Sequence, residues 1–160
     1  MLELKPACEN CRVPLPPNST EARICLAEED GLLPPSFENA DAHSIYIVDD
    51  EPGLTELYTI FLQGTGYVVK TFNDRAEALA TLKGDTQKPD LLILDYFGHP
   101  MPVEDFMELC LIAHPRLRIL MASGLIETET RFSSIRPTRF IQKPFTAWAF
   151  VREVHAALSA

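Results

Sequence analysis

Four places in the chain carry side chains suited to chemistry: Asp49-Asp50-Glu51, Asp95, Ser123, and Lys143 followed by Pro144. Each closes a short strand-like run, namely SIYIVD (44–49), LLILD (91–95), LRILMAS (117–123) and TRFIQK (138–143). If these runs are parallel strands of one sheet, four strands deliver polar groups to the same edge. Crowded carboxylates repel and raise one another's pKa unless a cation neutralises them, and a hard divalent ion such as Mg²⁺ suits an oxygen donor set. A lysine and a hydroxyl opposite that cation leave a place for a tetrahedral anion, because cation, ammonium and O–H donor converge on phosphoryl oxygens. The chemistry this implies is phosphoryl transfer onto a carboxylate.

The elements that must position these groups are legible from periodicity. Gly53 to Gln63 carries Leu54, Leu57, Tyr58, Phe61 and Leu62 at helical spacing, and Gly64 and Gly66 break it. YVVKTF then reads as a strand, and Asp74 with Glu77 fits a capping box opening the helix RAEALATLK. EDFMELCLIA and AWAFVREVHAAL read as helices, and the region between Gly124 and Pro137 is expected to hold one more. Five strands alternating with five helices imply an α/β fold with a mostly parallel sheet covered on both faces. Ligands of such open sheets sit beyond the carboxyl ends of the strands.

Charge and composition exclude several classes of function. Fourteen Lys+Arg against 23 Asp+Glu give a net charge of −9, which disfavours electrostatic capture of nucleic acid or an anionic membrane. No apolar run approaches the roughly 18 residues of a membrane span. The opening MLELKPACENC lacks the apolar segment of a secretory signal, so a cytoplasmic location is expected.

The text changes near Ala42. Residues 1–42 hold six of the 13 prolines and three of the four cysteines, with three basic and eight acidic residues for a local charge of −5. Proline fixes φ and lacks an N–H, so VPLPPNS and GLLPPSF favour extended or turn backbone. We therefore expect an irregular, Cys/Pro-rich N-terminal extension over residues 1–42 and the α/β domain over 43–160. Cys8, Cys11 and Cys25 invite a Zn²⁺ site, with His43 as the fourth ligand within reach by sequence. Cys110 falls in an apolar helical stripe and reads as an inert buried thiol. Met101, Met107 and Met121 read as core fillers.

Taken together, IYIVDDE, LLILDY, LMASG and FIQKPF resemble the receiver domain of two-component response regulators over residues 43–160. The resemblance implies a flavodoxin-like (βα)5 fold with a parallel five-stranded sheet of order 2-1-3-4-5. It further implies that Asp95 is the phospho-acceptor, that Asp50 ligates Mg²⁺ directly and Asp49 through water, and that Asp95 and the Phe97 backbone carbonyl complete the metal site. Lys143 resembles the phosphoryl-binding lysine, Ser123 the switch hydroxyl, and Phe140 the aromatic whose rotamer reports phosphorylation. The implied donor is a sensor histidine kinase or phosphotransfer protein. The output would be a conformational change read by a downstream protein or by phosphorylation-dependent dimerisation.

The reading is of a signalling module, with at most slow autodephosphorylation rather than an enzyme's turnover, and of a stand-alone regulator that does not contact nucleic acid or membrane. One departure from the family pattern lies beside the acceptor, where YFGHPMPVEDF has two prolines and no glycine after Gly98. Residues 1–25 resemble the start of a small cysteine-rich family of the DUF1272 type. That suggests an alternative in which the N-terminal cysteines form a zinc-dependent interaction module and the receiver fold is a scaffold.

Overall fold

The computed structural model describes residues 43–98, 100–124 and 135–160. All of them belong to one of the two units into which the chain divides, Pro35–Ala160. The described elements are β1 (Ser44–Val48), α1 (Pro52–Phe61), β2 (Val68–Phe72), α2 (Arg75–Gly84), β3 (Leu91–Asp95), α3 (Val103–Ala113), β4 (Arg118–Ser123), β5 (Arg139–Gln142) and α4 (Ala147–Leu158). The helix expected between Gly124 and Pro137 falls largely on residues 125–134, outside those described.

The five strands form one parallel sheet of order β2-β1-β3-β4-β5, as the resemblance implied. Every residue of β1 and β3 is buried, which is why SIYIV and LLILD read as continuous apolar runs rather than alternating ones. The edge strands β2 and β5 are largely exposed or half-exposed.

Alternation along the strands sorts the core into two layers. Tyr46, Val48, Leu92, Leu94, Ile119 and Met121 face one way, against Leu79 and Leu82 of α2 and Phe106, Met107 and Cys110 of α3. Ile45, Ile47, Leu91, Ile93, Leu120 and Ala122 face the other, against Tyr58 of α1 and Phe150, Val151, Val154 and Leu158 of α4. Met107 and Met121 are fully buried and Met101 packs at the margin of its layer, so the methionines fill core as expected.

Local chemistry sets the helix starts. Pro52 opens α1, where its missing N–H costs nothing and its fixed φ suits the first turn. The Asp74 carboxylate accepts from the Glu77 amide at 2.9 Å to cap α2. Thr146 does the same for α4, accepting from the Ala149 amide at 3.2 Å. Among the described residues, no helix is long and apolar enough to cross a membrane.

Candidate functional site

Strand order places the chemistry. β1 and β3 are neighbours at the point where the sheet reverses direction of winding, the switch point where open α/β sheets hold ligands. Asp49 follows β1 and Asp95 ends β3, so the two carboxylates emerge side by side. Asp49 is 2% exposed and Asp95 8%.

Each carboxylate is fixed in the same way. Asp49 Oδ1 accepts from the Glu51 amide at 3.0 Å, and Asp95 Oδ2 accepts from the Phe97 amide at 2.7 Å. These bonds to the amide two residues on hold each side chain against its own turn. The remaining oxygens converge on one ammonium: Lys143 Nζ donates to Asp49 Oδ2 at 3.0 Å and to Asp95 Oδ1 at 2.6 Å. Burial alone would push the Lys143 pKa down, but its hydrogen bonds and charge pairing with Asp95 and Asp49 outweigh that and raise it. The lysine is therefore charged throughout the neutral range.

Neighbouring elements secure this triad. The Lys143 amide donates to the Ser123 carbonyl at 2.8 Å, and the Lys143–Pro144 peptide is cis. Asn73 Nδ2 donates to the Asp49 carbonyl at 2.8 Å. The Tyr58 ring lies 5.8 Å from Lys143 Nζ and stacks on Phe150 at 4.9 Å, so a rigid aromatic layer sits beneath the ammonium.

The other sequence-predicted residues take varied positions. Asp50 is exposed, and its carboxylate rests against Gly98 so closely that a Cβ on Gly98 would overlap it. Gly98 also has φ +85°, a left-handed conformation that side chains rarely adopt. Ser123 is buried at the end of β4, one residue beyond Ala122, the register partner of Asp95. Phe97 is 51% exposed. Phe140 on β5 is half-buried and packs against the layer of α2 and α3. Cys8, Cys11 and Cys25 lie outside the described residues, and His43 Nδ1 faces Asp90 Oδ2 at 3.2 Å.

Among the described residues, no three His, Cys, Asp or Glu side chains are grouped to enclose a metal ion. Mg²⁺ does not need such a cage: it keeps several waters and takes one or two carboxylates. The donors here are all oxygen, and the Lys143 ammonium already sits as a cation between two of them. The set fits a hydrated hard cation.

Sequence reasoning missed Arg75. It is 2% exposed at the start of α2, and its guanidinium donates to the carbonyls of Asp95, Tyr96 and Met101 at 2.7, 3.1 and 2.5 Å. Asn73 and Tyr58 were also not singled out for the site.

Residues 45–155, well over half of the chain, match the model of the response regulator receiver domain. The chain belongs to the response regulator receiver family. Receiver domains typically bind Mg²⁺ at their phosphorylation site. Residues 1–29 match the model of a protein family of unknown function, DUF1272.

Among curated relatives, the nitrogen assimilation regulatory protein NtrX of Azorhizobium caulinodans is 34% identical over 110 residues, 66% of this chain and 24% of that protein. The alkaline phosphatase synthesis transcriptional regulatory protein PhoP of Bacillus subtilis is 31% identical over 121 residues, 72% of this chain and 47% of that protein. The matched region thus spans half or less of these relatives' lengths. Among solved structures, NtrX from Brucella abortus is 30% identical with a TM-score of 0.65, covering 74% of this chain and 27% of that one. A CheY-like receiver domain from Methanospirillum hungatei shares the fold at 19% identity and a TM-score of 0.62, covering 74% of this chain and 95% of that one.

Proposed function

We propose that this receiver accepts a phosphoryl group on Asp95 from a histidine kinase or phosphotransfer protein. The observation that carries this reading is the single ammonium of Lys143 held between Asp95 and Asp49. One Asp95 oxygen attacks the phosphorus of a donor phosphohistidine; the P–N bond breaks, the imidazole nitrogen keeps the electron pair, and an acyl phosphate forms on Asp95. Lys143 then has phosphoryl oxygens to pair with in place of a carboxylate oxygen, and Ser123 can donate its hydroxyl to another. Mg²⁺, held by Asp49, Asp50, Asp95 and the Phe97 carbonyl, would supply further positive charge to the transferring group. Attack of water on the phosphorus returns the carboxylate and inorganic phosphate, and we expect this reversal to be slow.

Movement of Ser123 and Lys143 toward the phosphoryl group, with Phe140 following on β5, is the output we assign. A net charge of −9 favours protein surfaces over nucleic acid as what these residues contact, and we place the protein in the cytoplasm. We set the receiver boundary near Ala42, with residues 1–42 as a separate extension.

The experiment is Mg²⁺ titration by calorimetry on the chain and on Asp50→Ala, whose exposed position makes a folding defect unexpected. The substitution should abolish or greatly weaken binding. Equal binding by the two proteins would remove Asp50 from the site.

A further inference from the structure

Arg75 occupies the first helical position of α2, where a cation meets the positive end of the helix dipole. It is nonetheless buried, and burial lowers its pKa against the opposing pull of Asp95 and Asp50. Its Nε is buried without a hydrogen-bond partner among the described residues, and its guanidinium lies 6.0 Å from the Phe106 ring centre. Each of these is unfavourable or weakly favourable for a surface-type residue. It donates three hydrogen bonds, and all three go to one stretch of backbone: Asp95 O and Tyr96 O at its start, Met101 O at its end.

That stretch contains the Phe97 carbonyl. Asp95 O and Tyr96 O are held by the guanidinium and the Phe97 amide by Asp95 Oδ2, so the backbone leading into that carbonyl is fixed on its N-terminal side. The same stretch carries the unusual YFGHPMP sequence, in which Pro100 and Pro102 cannot donate amide hydrogen bonds of their own. An external fork of donors replaces what the loop backbone lacks. A guanidinium can reach acceptors in several directions within its plane, whereas an ammonium on a shorter stem cannot hold both ends.

We propose that Arg75 is a positioning residue that fixes the acceptor loop from behind and thereby sets the geometry of the Mg²⁺ and phosphoryl site. This rests on the phospho-acceptor reading above. Because its acceptors are backbone carbonyls rather than carboxylate oxygens, the fork does not have to give up a hydrogen bond when Asp95 takes a phosphoryl group. The loop stays anchored while Lys143 and Ser123 move.

Arg75→Lys keeps the charge and loses the fork; Arg75→Met loses both. Three readouts on the full chain, taken well below the melting temperature of each variant, decide the matter: amide exchange at Tyr96, Phe97 and Met101, Mg²⁺ affinity by calorimetry, and the rate of labelling by acetyl phosphate. In both variants the loop amides should exchange faster while sheet amides do not. Mg²⁺ affinity and labelling rate should fall together by about tenfold to a hundredfold, the usual effect of losing a residue that orients metal ligands.

Full rescue by Lys would overturn the proposal in favour of a charge effect. So would loosened loop amides with unchanged Mg²⁺ affinity and labelling, which is the signature of a purely structural arginine. A parent chain that takes neither Mg²⁺ nor phosphate defeats the phospho-acceptor reading itself. That outcome is distinct from a parent and Arg75→Lys that are labelled equally, which defeats only the role of Arg75.

Discussion

At the scale of one residue, Lys143 holds its positive charge between two fixed carboxylates, Asp49 and Asp95. Asp49, Asp95 and Lys143 were legible because each ends a strand-like run, and parallel strands put run ends on one edge. Arg75 was not, since an arginine after a capping aspartate reads as a solvated helix residue. The one available signal was a basic group in a first helical turn, against the dipole. Cys110 shows how burial can dominate a side chain's chemistry: it is 1% exposed, and desolvation, against a smaller opposing pull from Lys83, pushes its thiol from 9.0 up to about 12. A folded pKa above the unfolded one means that the fold favours the protonated thiol. That contribution is complete below about pH 9 and is lost as pH rises toward 12. Urea unfolding of the chain and of Cys110→Ala should show a stability gap at pH 7 that narrows above pH 9. A gap that stays constant to pH 11 would contradict this account of the thiol.

Among the elements, the best-read were those whose burial is one-sided or complete. The helix AWAFVREVHAAL coincides with α4, Ala147–Leu158, and the apolar stripe of EDFMELCLIA lies within α3. Strand ends were read less well. SIYIVD shortens to Ser44–Val48, YVVKTF to Val68–Phe72, LRILMAS to Arg118–Ser123 and TRFIQK to Arg139–Gln142, because a strand's ends are set by ladder hydrogen bonds that composition does not show. The turn after β3 carries the sharpest local constraint. Alanine at Gly98 would face both a left-handed φ, worth about 1–2 kcal/mol for a residue with a Cβ, and the Asp50 carboxylate in the space its methyl needs. Gly98→Ala should therefore lower stability by about 1–2 kcal/mol and weaken Mg²⁺ binding by displacing Asp50. Unfolding and calorimetry on the same preparation check the two effects, and unchanged values for both would show that the turn relaxes without cost.

For the whole molecule, a parallel sheet covered on both faces followed from strand–helix alternation, and its 2-1-3-4-5 order came from the family resemblance alone. What sequence could not supply was the pairing of particular side chains across distant segments, such as Asn73 with the Asp49 carbonyl, since such contacts have no periodicity. Among the described residues, both core layers are made of residues between Ile45 and Leu158. A chain lacking residues 1–42 should consequently unfold cooperatively and keep its Mg²⁺ affinity. Loss of cooperativity would show that the extension completes the fold. The central claim, that the fold exists to carry a phosphoryl group on Asp95, is tested most directly by the intact mass of the chain and of Asp95→Asn after incubation with acetyl phosphate and Mg²⁺. The account expects the mass of one phosphoryl group added to the first and none to the second; equal addition to both, or addition to neither, would contradict it.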